Sequence, residues 1–158
     1  MRNIRIGLGF DVHSFEQSGS SLVLGGINID YKCSLKGHSD ADVITHAIAE
    51  ALLGSIGLGG LGEHFPDTDP RWKNVESLKI LSLTVEKLRE LNWNTINVDC
   101  SVVLEEPHLA TFRQQMQDRL SFIIGAPINI KAKRPEGLGS LGRSEGIACW
   151  AIALVGME

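Results

Sequence analysis

The chain lacks most of the features that place a sequence in a special class. Three cysteines, Cys33, Cys100 and Cys149, are its whole thiol complement. They are far apart, odd in number and free of any C-x-x-C spacing, the usage of structural thiols in a reducing compartment. Neither a disulfide scaffold nor a thiolate metal site is therefore expected. No apolar run approaches the roughly 18 residues of a membrane span. No signal-peptide core or Arg/Ser-rich transit segment precedes the strand-like pattern that follows Arg2. Fifteen Lys and Arg are scattered among 19 Asp and Glu, for a formal charge of -4, without the basic stripe that a nucleic-acid partner would require. At 43% hydrophobic, 22% charged and 6% aromatic over 158 residues, the composition excludes collagen, disorder and a coiled coil. One cytoplasmic domain of enzyme size, spanning 1–158, is the expectation. Such a chain buries roughly two thirds of the surface its unfolded form exposes, so it holds a core without a structural metal. A metal found here would be functional.

What is present is periodicity punctuated by 17 glycines, which should mark tight backbone geometry. Ile4, Ile6 and Leu8 alternate with other residues as a strand does, and Leu22 to Ile29 reads as two short strands meeting at Gly25-Gly26. Ser39-Asp40-Ala41-Asp42 resembles a helix start, with Ser39 as cap and Asp42 capping back. That helix runs to about Gly57 on an Ile44, Ile48, Leu52, Ile56 stripe, with Asp42, His46 and Glu50 on a neighbouring face. The Gly- and Pro-rich stretch from Gly57 to Pro70 reads as a long functional loop with no regular element. Asn74 and His108 open two more amphipathic helices. Ile96 to Leu104 and Ile128 to Ala132 alternate as strands, and Ile147 to Val155 reads as a strand buried on both faces. The order of elements argues for an α+β domain with helices on one sheet face.

Three constellations carry chemistry. Asp11 and His13 stand two apart on a strand, so both side chains project from the same side and can share one metal ion; a functional zinc would need a third protein ligand and an open fourth position. The bland alternative is a turn histidine beside an Asp that caps an amide. His46 sits in the helix body, where a satisfied core histidine is the alternative to a ligand. His38, just before the cap, could reach an anion at the helix N-terminus or simply be solvated. Near the C-terminus, Lys131, Lys133 and Arg134 with Glu136 end a strand ahead of Gly137, Gly139, Gly142 and Arg143, a basic glycine-rich turn suited to polyphosphate or a solvated edge.

The strings GFDVH at 9–13, GHSDADVITHA at 37–47, FPDTDPRW at 65–72 and GRSEGIA at 142–148, in this order, resemble the 2-C-methyl-D-erythritol 2,4-cyclodiphosphate synthase family. The resemblance implies a homotrimer of ferredoxin-like α+β protomers with helices on one face of a mixed sheet and active sites between neighbouring subunits. It implies conversion of 4-diphosphocytidyl-2-C-methyl-D-erythritol 2-phosphate to the cyclic diphosphate and CMP, in the non-mevalonate route to isoprenoids. By the same resemblance Asp11, His13 and His46 hold one zinc per subunit, and Glu136 helps hold a second cation, Mg²⁺ or Mn²⁺. Asp11, His13, His38 and Ser39 meet the substrate. Gly60, Leu61, Gly62, Phe65, Pro66, Asp67, Thr68 and Asp69 close over it. Leu104 to Ala110, including Pro107, with Ala132 and Lys133 form the cytidine pocket. Arg134 and Arg143 flank Glu136 among the substrate contacts, and His38 and Arg134 are the catalytic candidates.

The match has departures. Lys133-Arg134-Pro135 replace the family's usual threonines, and Arg134 is the candidate to take over a threonine's transition-state role. Gly60 replaces an aspartate, Ser140 an aromatic residue and His108 a lysine. Two other classes compete: a trimeric binding module that has lost turnover, and a zinc hydrolase, for which Glu50 is the one nearby helical base.

Overall fold

The computed structural model describes residues 3–17 and 20–157. β1 (Ile4–Glu16) is followed by a hairpin, β2 (Ser21–Leu24) and β3 (Ile27–Asp30), and by a two-residue strand β4 (Ser34–Leu35). Helix α1 (Val43–Ser55), the turn helix α2 (Leu61–His64), a 3-10 turn (Pro70–Trp72) and α3 (Ser77–Glu90) come next. β5 (Trp93–Val103), α4 (Arg113–Ile124), β6 (Ile128–Lys133), the short α5 (Gly139–Gly142) and β7 (Gly146–Met157) complete the chain. The main sheet has the order β4-β1-β7-β5-β6, with β5 and β6 parallel and the other pairs antiparallel. β2 and β3 form a separate ladder. The expected mixed α+β domain is thus present, with α1 lying along β1 and β7.

Two glycines allow that contact. Gly7 and Gly9 face α1, and a Cβ built on Gly9 would sit 1.9 Å from the Ala47 carbonyl oxygen, on Gly7 1.9 Å from that of Ala51. A strand with side chains at these places could not approach the helix so closely. The opposite face of the same strand is apolar and open: Ile6 and Leu8 are 67% and 66% exposed. Phe10 lies against Trp150 of β7 with ring centroids 4.9 Å apart. β7 is consequently buried on one face only, with Trp150 and Ile152 exposed. The reading of this strand as buried on both faces rested on unbroken hydrophobicity, which does not say what covers each face.

Helix boundaries also shift. α1 begins at Val43, capped by Asp42 rather than Ser39. The Asp42 carboxylate accepts from the amides of Gly25 (2.9 Å), Gly26 (2.7 Å) and Thr45 (3.1 Å) and from the Thr45 hydroxyl (2.6 Å). Burial pushes this carboxyl up, and the four donors pull against it. Asp42 therefore belongs to the hairpin and the cap, not to a face shared with His46 and Glu50. α3 starts at Ser77 instead of Asn74, and α4 at Arg113 instead of His108. The stretch expected to be irregular from Gly57 to Pro70 carries α2 and the start of the 3-10 turn. Cys33, Cys100 and Cys149 are all free thiols.

Candidate functional site

Asp11 and His13 share the α1-facing side of β1 with Gly7 and Gly9, as the period of two requires. Because α1 is drawn against those glycines, His46, one residue before Ala47, meets the strand. Its Nδ1 lies 3.0 Å from Asp11 Oδ2, and His13 Nε2 lies 3.0 Å from the same oxygen. One ligand atom from each of the three residues falls within 4.8 Å of the others.

The outer hydrogen bonds decide which nitrogens are free. His13 Nδ1–H donates to the Lys36 carbonyl at 2.8 Å, so Nε2 carries the lone pair. That Nε2 is buried without a hydrogen-bond partner, because its approach to Asp11 is close but misaligned. His46 is arranged in mirror fashion. Its Nε2 faces the Ser77 hydroxyl at 2.8 Å and that of Ser39 at 3.2 Å, leaving Nδ1 toward Asp11. The Ser77 hydroxyl passes its own hydrogen to Asp40, whose other oxygen accepts from the Ser77 amide at 3.0 Å. Two imidazole lone pairs thus converge on one carboxylate oxygen, the donor set of a borderline cation with an open position, and each histidine is oriented by a second partner. Burial acts to raise the Asp11 carboxyl, but His13 and His46, when they carry protons toward it, outweigh burial and hold it at about 2. Burial acts to lower His13, and the Asp11 carboxylate raises it instead.

The cluster opens into a cavity of about 540 Å³. Of the sequence candidates, Asp11, His13, His38, Ser39, His46, Leu61, Gly62, Phe65, Pro66 and Asp67 line it. Thr68 and Asp69 do not; Asp69 caps the 3-10 turn by accepting from the Arg71 amide at 3.0 Å and pairs with the Arg71 guanidinium. Gly60 precedes α2 just outside the lining, and its amide donates to Glu63 at 2.8 Å. Glu50 accepts from the Leu61 amide at 2.6 Å, which ties the loop to α1. Phe10, Trp72 and Ile80 complete the wall. Ser77 was missed as a partner of His46, and Asp40 as the acceptor behind Ser77, since a residue 31 positions away leaves no local signal in the sequence.

A second cavity, of about 270 Å³, lies where β5 and β6 end. Pro107, Ala132, Lys133 and Arg134 line it with Leu104, Glu105, His108, Leu109 and Ala110. Arg134 pairs with Glu105 of its own chain at 2.6 Å. The two cavities do not merge. Asp11 pairs with Cys149, Cys149 with Val102, and Val102 with Ala132; three strand spacings put Ala132 about 14 Å from Asp11 across the sheet. Glu136 stands apart from the triad in an exposed turn with φ +53°. Arg143 pairs with Glu145 at 2.7 Å and faces a third cavity with Tyr31 and Lys32.

A sequence profile of the YgbB family matches residues 4–156. A 2-C-methyl-D-erythritol 2,4-cyclodiphosphate synthase of Syntrophobacter fumaroxidans is 44% identical over 155 residues, covering 96% of this chain and 97% of its own. The fold of the bifunctional IspDF of Campylobacter jejuni superposes with a TM-score of 0.95 at 38% identity; all of this chain matches, spanning 43% of that longer protein. IspF of Plasmodium falciparum, in a complex with CDP, superposes with a TM-score of 0.86 at 28% identity over 99% of this chain and 97% of its own.

Proposed function

The chain belongs to the YgbB family, and from that membership and the geometry of the triad we infer an enzyme that converts 4-diphosphocytidyl-2-C-methyl-D-erythritol 2-phosphate into 2-C-methyl-D-erythritol 2,4-cyclodiphosphate and CMP. It acts in isoprenoid biosynthesis. The reaction is an intramolecular phosphoryl transfer: a P–O bond forms between the 2-phosphate oxygen and the β-phosphorus, and the bond to CMP breaks. No protein nucleophile is needed, so the chain's task is positioning and charge neutralisation.

The observation that carries the reading is the convergence of His13 Nε2 and His46 Nδ1 on Asp11 at 3.0 Å beside a 540 Å³ cavity. These three residues would hold zinc, which supplies a Lewis acid and a template for phosphate oxygens. Glu136 offers the hard oxygen donor that Mg²⁺ or Mn²⁺ prefers. His38 and Ser39 orient the erythritol phosphate at the cavity wall, and the segment from Leu61 to Asp67 shields it from water. Pro107, Ala132 and Lys133 seat the cytidine, and Arg134 donates to phosphate oxygens as charge builds.

Our reading extends to a homotrimer of ferredoxin-like protomers, each built on a mixed sheet with helices along one face. One feature supports the assembly: the open apolar face of β1 and β7 needs a cover. A cytoplasmic setting belongs to the same reading; among the described residues no helix is long and apolar enough to cross a membrane.

CMP release from the cytidylated substrate tests this, with and without a chelator. Release that the chelator and His46→Ala both abolish is expected, with zinc lost from the variant. Binding of CDP without any CMP release would make the chain a binding module instead.

A further inference from the structure

We propose that Glu105 is a positioning residue for the reaction, aiming the Arg134 guanidinium into the pocket at the ends of β5 and β6; this rests on the role given to Arg134 above. β5 and β6 run parallel with Val103 opposite Lys133, and the Leu104 amide donates to the Lys133 carbonyl at 3.1 Å. The residues just past these strands therefore emerge side by side. Glu105 Oε1 accepts from Arg134 Nε at 3.1 Å and Nη2 at 2.6 Å. Its Oε2 accepts from the Gly137 amide at 3.2 Å. Both carboxylate oxygens are thus committed. The Gly137 contact fixes the carboxylate, and the fixed carboxylate holds the arginine by one edge.

The other edge is open. Two of the five guanidinium hydrogens are used, and Arg134 Nη1 donates to nothing among the described residues. Glu105 and Arg134 both line the 270 Å³ cavity, beside Lys133. The Glu105 side chain is 16% exposed and that of Arg134 50%, so the carboxylate forms the wall while the guanidinium remains reachable. An ion pair this open adds little to stability. Its effect falls on conformation: an arginine has many rotamers, and one held before the substrate arrives does not have to be ordered in the transition state. The contact with Gly137 also steadies a turn in which Glu136 and Gly137 both adopt positive φ, +53° and +75°. That turn lies beyond Arg134 and keeps the acceptor in place.

A double-mutant cycle on CMP release tests the proposal, using Glu105→Ala, Arg134→Ala and both together in the full-length chain. Arg134→Ala should lower kcat by about a hundredfold, the usual loss for one preorganised donor. Glu105→Ala should lower kcat by about tenfold with KM little changed, and the double variant should match Arg134→Ala alone, because Glu105 acts through the arginine. Multiplication of the two losses in the double variant would overturn the proposal, since Glu105 would then act independently through the turn. Normal kcat in Glu105→Ala beside a damaged Arg134→Ala would also overturn it. Normal kcat in Arg134→Ala would instead remove the reading on which the proposal rests, which keeps the two failures distinct. Metal content and molecular mass are measured for each variant. Should Glu105→Ala lose either, Glu105→Gln, which keeps the shape and removes the charge, takes its place in the cycle with the same criteria.

Discussion

Gly9→Ala is the sharpest perturbation of the contact that builds the candidate metal site. The added Cβ would stand 1.9 Å from the Ala47 carbonyl oxygen and 2.6 Å from the Ala51 amide nitrogen, where ordinary contact begins at 3.4 Å. β1 and α1 must therefore part by about 1.5 Å, and the obstacle is backbone on both sides, with no flexible side-chain end to yield. Overpacking of this kind costs about 3 kcal/mol at the upper end of its usual range. For a domain of this size that lowers Tm by about 6–12 °C. The same displacement separates Asp11 on the strand from His46 on the helix, now 3.0 Å apart. Metal ligation tolerates errors of only about 0.2 Å in bond length, so bound metal should fall well below one per chain. Gly54→Ala is the control on the same helix. There the added Cβ meets nothing nearer than the Leu8 carbonyl oxygen at 3.9 Å, and relief of glycine's entropy cost should stabilise the chain by about 0.5–1 kcal/mol with metal unchanged. Denaturant midpoints and elemental analysis read both effects. A Gly9→Ala chain with full metal and unaltered midpoint would refute the claim that glycine sets the approach of β1 to α1.

Two further outcomes follow from the same geometry. Ser77→Ala removes the hydroxyl at 2.8 Å from His46 Nε2 and should weaken metal binding by about 10–100-fold in a competitive chelator titration; unchanged affinity would mean that Ser77 does not orient the imidazole. Leu8→Lys places a charge on the open apolar face, where Leu8 is 66% exposed. Light scattering should show the species shift from three chains toward one of 17.2 kDa, with protomer stability changed by less than about 0.5 kcal/mol; an intact trimer would locate the interface elsewhere.

The candidate metal triad was half legible in the sequence because its halves obey different rules. Asp11 and His13 are related by strand period, which a sequence displays directly. His46 depends on how closely α1 approaches β1, and its place came from family resemblance rather than from spacing. Gly7 and Gly9 do record that approach, but an isolated glycine in a strand pattern equally suggests a bulge. The cap of α1 was misplaced for a similar reason. Ser39 and Asp42 both satisfy local capping preference, and the choice fell to Asp42 because its carboxylate also takes the Gly25 and Gly26 amides of a distant hairpin. Hydrogen bonding from acidic side chains likewise decided the loop from Gly57 onward. Its glycines argue against regular structure, yet Glu50 receives the Leu61 amide and Glu63 the Gly60 amide, which together satisfy the start of a helical turn.

β1 also answers to two separate demands, one on each of its faces. Its odd positions, Gly7, Gly9, Asp11 and His13, meet α1 and carry the ligands, while its even positions, Ile6, Leu8, Phe10 and Val12, form the open apolar face. A one-residue slip against β7 would exchange the two sets, burying the aliphatic chains under α1 and turning the ligands outward. The observed register, with Asp11 opposite Cys149 and Phe10 opposite Trp150, is therefore demanded from both faces at once: by helix packing on one and by whatever covers the aromatic pair on the other. Covering that face orders the strand that carries Asp11 and His13, and binding a cation orders the same strand against α1. Whatever covers that face and any cation held by Asp11 and His13 thus act on one element and should reinforce each other.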